Sequence, residues 1–418
     1  MVTFASQADL SAALSEVSQA SYQLRLAGAD VHSQLLERLA SFLDDAQDEI
    51  LEANTLDLEA SLDMAVPELV LDWLKLTPER LNIASKILRR LATLGDPRGL
   101  SPPPISRLTK TVTGYSQVMP LGVVAFVYEA FPELAMIMAG LCIRTGNGLI
   151  LKGGNEASQT NRVILQVLHQ ALDQVNLPAA CLFSLAEDQS DAARSWLLQD
   201  RGVALIIPYG RPSLVKQVIR QAAVPVLPTV MGNGYLYWSA SGSLDTVMHM
   251  VLDSHHGEPD AVNAIEKVLI HPGCSSSAVT QLCSTLWDQG FEVLGDAAMV
   301  ADLANLKLTQ PDDWLQPFLS KTVALGRVDN IDAAASWINR YSSGHANSLV
   351  TESYQEAHQF TRLINSAVVY INTSPRFVRN SPQASAIALG MTAQQGRFQG
   401  LVGLNALLTS QHVLQGLD

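Results

Sequence analysis

Apolar residues recur at spacings of three and four from about residue 7 to 94, as in Leu35, Leu36, Leu39, Ala40 and Leu43 and again in Ile83, Ala84, Ile87, Leu88 and Leu91. That is the period of helices with one buried stripe, and it predicts a helix-rich opening. Gly95-Asp96-Pro97-Arg98-Gly99 and Pro102-Pro103-Pro104 cannot continue a helix. From Arg107 to Val118 β-branched and polar residues alternate, which predicts a β-ribbon at about 105–118 leaving the main body. Beyond it, short apolar runs at 122–128, 148–151, 180–185, 203–207 and 223–227 are interleaved with helical stretches at 133–144 and 156–175. This is the signature of βαβ units around a parallel sheet covered on both faces. A second alternating set runs from Lys267 through Val350 to Ile371, and Ser254-His255-His256-Gly257 interrupts the pattern at a seam near 253–258. The expected class is α/β, with two doubly wound parallel-sheet domains and a projecting ribbon.

Composition narrows the function classes. A chain of 418 residues with 48% hydrophobic content can bury large cores. Its net charge is −13 with 27 basic residues and no basic cluster, so a nucleic-acid partner is not expected. The first residues lack the layout of a signal peptide, and every long apolar stretch is interrupted before membrane-spanning length; the expectation is a cytoplasmic protein without a membrane role. Cys142, Cys181, Cys274 and Cys283 are scattered, with no CxxC and no companion histidine at zinc spacing, so they read as buried thiols. His255 and His256 are adjacent and lack a carboxylate at ligand spacing; a solvent-exposed or interface pair is expected rather than a metal site.

Several segments, in order and across nearly the whole chain, resemble the gamma-glutamyl phosphate reductase family of the aldehyde dehydrogenase superfamily. They include Ala53-Asn54-Thr55-Leu56-Asp57-Leu58, Leu76-Thr77-Pro78-Glu79-Arg80-Leu81, Pro120-Leu121-Gly122-Val123-Val124 and Val127-Tyr128-Glu129-Ala130-Phe131-Pro132. Further on come the stretch from Arg144 to Ala157 containing Lys152-Gly153-Gly154-Asn155-Glu156, then Val369-Tyr370-Ile371-Asn372 and Gly403-Leu404-Asn405-Ala406-Leu407. The resemblance implies an aldehyde dehydrogenase-like fold. Residues 1–255 would hold the helical opening and a Rossmann-like dinucleotide-binding domain carrying the ribbon, 256–375 a catalytic-type α/β domain, and 376–418 a return to the cofactor domain and oligomerisation arm. It also implies NADPH-dependent reduction of L-glutamyl 5-phosphate to the semialdehyde, through a thiolate that displaces phosphate.

The motif residues depart from that pattern at the chemistry. In Glu258-Pro259-Asp260-Ala261-Val262-Asn263-Ala264-Ile265-Glu266, the register of Pro259, Asn263 and Glu266 puts Val262 where the family keeps its nucleophilic cysteine. Cys274 lies beyond the intervening strand and cannot replace it, although a place near a helix start can lower a thiol's pKa. Ala388, in Ala384-Ser385-Ala386-Ile387-Ala388-Leu389, matches a carboxylate of the relatives. Tyr209-Gly210-Arg211-Pro212 stands in place of a glycine pair at the cofactor turn, and Arg211 either blocks a phosphate or pairs with it. Gly234 and Tyr235 replace a common Cys-His. What is kept is the loop of Lys152, Gly153, Gly154 and Glu156, which with Gly210 forms the candidate cofactor-binding set, against the plain alternative of a tight turn.

Two readings follow. One is a catalytically degenerate paralogue with Val262 at the nucleophile position and Asn263 beside it, kept for binding, regulation or scaffolding. The other is an active NADPH-dependent reductase of L-glutamyl 5-phosphate, or one with altered chemistry that passes hydride directly to an acyl phosphate or aldehyde. The ribbon implies a homo-oligomer, or assembly with an active relative or a glutamate kinase.

Overall fold

A computed structural model describes residues 7–99, 106–107, 112–185, 191–256, 260–303, 305–381, 386–393 and 400–416. Pro259, Ala384, Ser385 and part of the expected ribbon (105 and 108–111) lie outside them. Packing divides the chain into two units: one of 1–228, 380–389 and 402–418, the other of 229–379 and 390–401.

The first unit opens with helices α1 (Gln7–Leu26), α2 (Ala29–Asp45), α3 (Gln47–Asp63), α4 (Glu68–Leu74) and α5 (Pro78–Thr93). The stripe predicted from spacing is the buried one except at Ile83, which is only half-buried: Leu35, Leu36, Leu39, Leu43, Ala84, Ile87, Leu88 and Leu91 are all at most 1% exposed. After the two-residue strand β1 (Ser106–Arg107) and β2 (Val112–Pro120) come β3 (Val123–Tyr128), α6 (Pro132–Thr145), β4 (Gly148–Lys152), α7 (Ser158–Asp173) and β5 (Leu182–Ser184). The unit's middle part closes with α8 (Asp191–Gln199), β6 (Leu205–Tyr209) and α9 (Pro212–Gln221). The four strands β3 to β6 form a parallel sheet in the order β5-β4-β3-β6. The run expected as a strand at 223–227 makes only an isolated bridge between Val226 and Ile206. Pro225 removes a ladder donor there, while its carbonyl still accepts from the Ile206 N–H.

Two polar devices fix the helical opening against this sheet. Asp57 of α3 accepts from the backbone N–H groups of Gln159 and Thr160 and from the Thr160 hydroxyl, holding the start of α7. Arg80 of α5 donates to Glu133 of α6 at 2.6 Å, with both side chains under 10% exposed.

The second unit contains β7 (Gly234–Trp238), α10 (Leu244–Ser254), β8 (Ile265–Ile270), α11 (Ser276–Asp288), β9 (Glu292–Gly295), α12 (Ala297–Asp302), the short β10 (Lys307–Leu308) and β11 (Thr322–Arg327). It continues through α13 (Ile331–Tyr341), β12 (Ala346–Val350), α14 (Tyr354–Leu363) and β13 (Val368–Ile371). Its seven strands pair in parallel in the order β10-β9-β11-β8-β7-β12-β13. Apolar clusters cover both faces, one led by Leu236, Val268 and Leu282, the other by Tyr237, Leu269 and Phe360. The chain passes into this unit at Thr229, earlier than the seam read near 253–258, because β7 pairs with β8 and β12.

The ribbon is nonlocal. Strand β14 (Ala388–Thr392) pairs with β15 (Gly400–Gly403), and the chain ends in β16 (Leu408–Gly416), which runs antiparallel to β2 from Leu408 opposite Pro120 to Gly416 opposite Val112. The alternation in 112–118 thus finds a short local partner in β1, opposite Thr113 and Gly114, and its full-length partner at the other end of the sequence.

Candidate functional site

Val262 lies in the loop that leads into β8, and almost every polar group around it is committed to holding that loop. Its side chain is 1% exposed. Its carbonyl accepts from the Gly232 N–H and from Nε2 of His345, each at 2.9 Å. The Ser343 hydroxyl meets Nδ1 of the same ring at 2.8 Å. Burial pushes His345 down to about 4, so the ring is neutral and serves as a donor to the loop. Beside Val262, the Asn263 amide donates to the Pro375 carbonyl at 2.9 Å and to the Tyr370 hydroxyl at 3.3 Å. Both carboxylate oxygens of Asp260 accept from Nη2 of Arg379, at 2.8 and 3.0 Å.

Glu266 is the strut beneath this loop. Fully buried, it accepts from the backbone N–H groups of Asn233, Phe318 and Leu319 and from the Lys267 ammonium. Lys267 in turn donates to the Gln316 carbonyl and lies 3.9 Å from the centre of the Phe318 ring. Gly234 binds the Ala264 carbonyl through its N–H, so closely that a Cβ would sit 2.5 Å from that oxygen. Tyr235, buried, donates its hydroxyl to the Trp314 carbonyl. Apart from the buried Oδ1 of Asn263, these groups are engaged in structure, and among the described residues none is an acid or base poised beside Val262.

None of the four cysteines compensates. Cys274 follows the far end of β8, whose six residues at ~3.3 Å each separate it from the Val262 end. Its thiol faces the Ser239 carbonyl at 3.5 Å, and burial pushes it up to about 11, the opposite of the lowering allowed for a helix start. Burial likewise raises Cys142, Cys181 and Cys283. The expectation for His255 needs correcting, since it packs edge-on against Phe291 and bonds the Val251 carbonyl rather than facing solvent. Among the described residues, no group of His, Cys, Asp and Glu could hold a metal ion.

The loop that retained the motif lies in the first unit. Lys152, at the end of β4, is 8% exposed and donates to the Gly153 carbonyl at 2.8 Å. Gly153 is glycine because a Cβ would lie 2.3 Å from the Asn161 amide nitrogen, and Gly154 because a Cβ would lie 2.1 Å from the Glu156 carboxylate. Glu156 accepts from the Ala130 N–H at 2.8 Å, which pins Ala130 at a φ of 56°. Burial raises the Glu156 carboxyl, and the Glu129 charge adds to the rise. Arg211 wraps Glu129 with its backbone N–H at 3.1 Å and its Nε at 3.0 Å from both carboxylate oxygens. Ala388 is 1% exposed, between the equally buried Ile387 and Leu389.

Comparison with known proteins places this architecture. The aldehyde dehydrogenase family model matches residues 1–251. A gamma-glutamyl phosphate reductase 2 from Synechocystis sp. is 42% identical over 392 residues, 93% of each chain. The chain belongs to the gamma-glutamyl phosphate reductase branch of the aldehyde dehydrogenase family. A reductase of that name from Gloeobacter violaceus is 35% identical over 92% of each chain. The crystal structure of gamma-glutamyl phosphate reductase from Thermotoga maritima superposes with a TM-score of 0.88 at 28% identity, covering 97% of this chain and 98% of that one.

Membership of the family makes a nicotinamide dinucleotide plausible, and its fit can be judged on the loop just described. Space beside Gly153 and Gly154 is filled by Asn161 and Glu156, and the Arg211 charge is met by Glu129. The candidate set of Lys152, Gly153, Gly154, Glu156 and Gly210 is brought together, but the Lys152 ammonium donates to the Gly153 carbonyl and the neighbouring Arg211 guanidinium to Glu129, so both cations are engaged within the chain. As arranged, Lys152 and Arg211 are not free to meet the phosphates of a dinucleotide. Sequence reasoning missed Glu129, Asn161, His345 and Arg379; the Tyr128-Glu129 and Asn263 matches were visible, but their partners lie far along the chain.

Proposed function

We propose that this chain is a catalytically degenerate member of its family, a folded reductase scaffold that acts by binding or assembly. The observation that carries this reading is Val262: at the position matched to the nucleophile stands a buried side chain without a lone pair, in a loop whose neighbouring imidazole is neutral and engaged. Reduction of an acyl phosphate by way of a thioester needs a sulfur that bonds to the acyl carbon as phosphate leaves, and then returns as thiolate when hydride arrives. Valine supports neither half, and the raised thiols elsewhere offer no displaced nucleophile.

The competing reading, an active reductase of L-glutamyl 5-phosphate, is supported by similarity over more than nine-tenths of the chain to proteins of that name. Purified protein is assayed in the reverse direction, with glutamate 5-semialdehyde, phosphate and NADP. The degenerate reading expects no turnover above background; an ordinary enzymic rate overturns it.

The β2–β16 ribbon supports a homo-oligomer, because its outer strand β16 carries an apolar side chain, Leu414, that is 68% exposed. In the cytoplasm an active relative or a glutamate kinase would be the heterologous partner, identified by affinity purification from the native host. The described residues contain no helix long and apolar enough to cross a membrane.

A further inference from the structure

The parallel sheet of the first unit reverses direction between β3 and β6. From β3 the chain steps to β4 and then β5 on one side, and β6 returns to the other side of β3. Open α/β sheets bind ligands in the crevice beyond the carboxyl ends of the two strands at such a reversal, where backbone N–H groups and helix starts meet phosphate.

Here the crevice is furnished by the chain itself. Tyr128 and Tyr209 pair at the strand ends, so Glu129 and Gly210 emerge side by side. Gly210 has a φ of 146°, and a Cβ on it would lie 2.9 Å from the Glu129 Cβ; its bareness admits Glu129. Two of the backbone donors that follow these strands are taken by carboxylates, the Arg211 N–H by Glu129 and the Ala130 N–H by Glu156. The helices that start here, α6 and α9, begin with Pro132 and Pro212, which removes the first N–H of each and leaves those of Ser213 and Leu214 as the donors of the α9 start. The side-chain cation, Arg211, is wrapped around Glu129.

We infer that Glu129 is a built-in anion that occupies Arg211 and the adjoining backbone donor, closing this crevice to the phosphates of a dinucleotide. The closure is separate from the loss of the nucleophile: a chain without a thiol could still hold NADPH, so binding and turnover fail independently. An incoming phosphate would meet the Glu129 charge at contact range with the Arg211 guanidinium already engaged, and like charges at that range repel strongly where water is partly excluded.

The test measures NADPH binding by fluorescence and inorganic phosphate by the shift of the thermal midpoint, for the full chain and for Glu129→Gln, which keeps an acceptor for the Arg211 N–H. The unaltered chain should bind neither ligand below the millimolar range. Glu129→Gln should gain affinity of about tenfold or more for both, and Glu129→Gln/Arg211→Ala should lose that gain. Micromolar NADPH binding by the unaltered chain overturns the inference. So does a folded Glu129→Gln protein, shown by an unchanged circular dichroism spectrum, that gains no affinity.

Discussion

Nε2 of His345 lies 2.9 Å from the carbonyl oxygen of Val262, a bond across 83 residues that ties β12 to the loop before β8. Because burial holds the ring down at about 4, against an unfolded value near 6.5, the folded state binds fewer protons than the unfolded one between those pH values. Stability from this group is therefore complete above pH ~6.5 and is lost as pH falls toward 4, amounting to about 3 kcal/mol. Urea unfolding of the native chain and of His345→Gln across that range should show the native chain losing this extra increment and the variant not losing it.

Val262→Cys should fold, with a loss of about 1 kcal/mol for the smaller side chain, and should stay inactive. The new thiol would sit where Val262 is 1% exposed, with no free base beside it among the described residues, so it stays protonated. Alkylation followed by peptide mass spectrometry at pH 8 should label position 262 no faster than Cys283. Rapid labelling, or NADPH-linked turnover, would show that the remaining departures had been read too strongly.

Glu266 and Lys267 form a fully buried pair, and removing one member strands the other. Glu266→Gln also replaces an acceptor by an amide facing three backbone donors. Urea denaturation should give a loss of about 3–5 kcal/mol for the single change, and a smaller one for Glu266→Leu/Lys267→Met.

Gly154→Ala should destabilise the native chain and do so less in a Glu156→Ala background, since the methyl collides with the carboxylate that the second change deletes. A double-mutant cycle in urea should return a coupling of about 1–3 kcal/mol. Additive effects would mean that the glycine answers to something other than Glu156.

The helical opening and both sheets could be read from spacing, because burial on one face imposes a period on neighbouring residues. Leu35 to Leu43 and the run into Tyr128 are of this kind. The Val262 loop and the Lys152 loop were legible as segments for a different reason, their match to a family pattern. What their side chains touch was not. Arg211 meets Glu129 across 82 residues, and Arg379 meets Asp260 across 119. Nothing local in a sequence encodes such pairings. The β2 ribbon shows the same limit in the backbone, its alternation being local and its partner β16 near the far terminus.

The steric position of Gly153 and Gly154 bears on how such proteins are recognised. Both residues answer to Asn161 and Glu156 within the same chain, so mutation is resisted there whether or not a cofactor ever arrives. A motif of this sort outlives the activity it is used to diagnose, and a search that finds it has detected a way of turning the chain rather than a ligand.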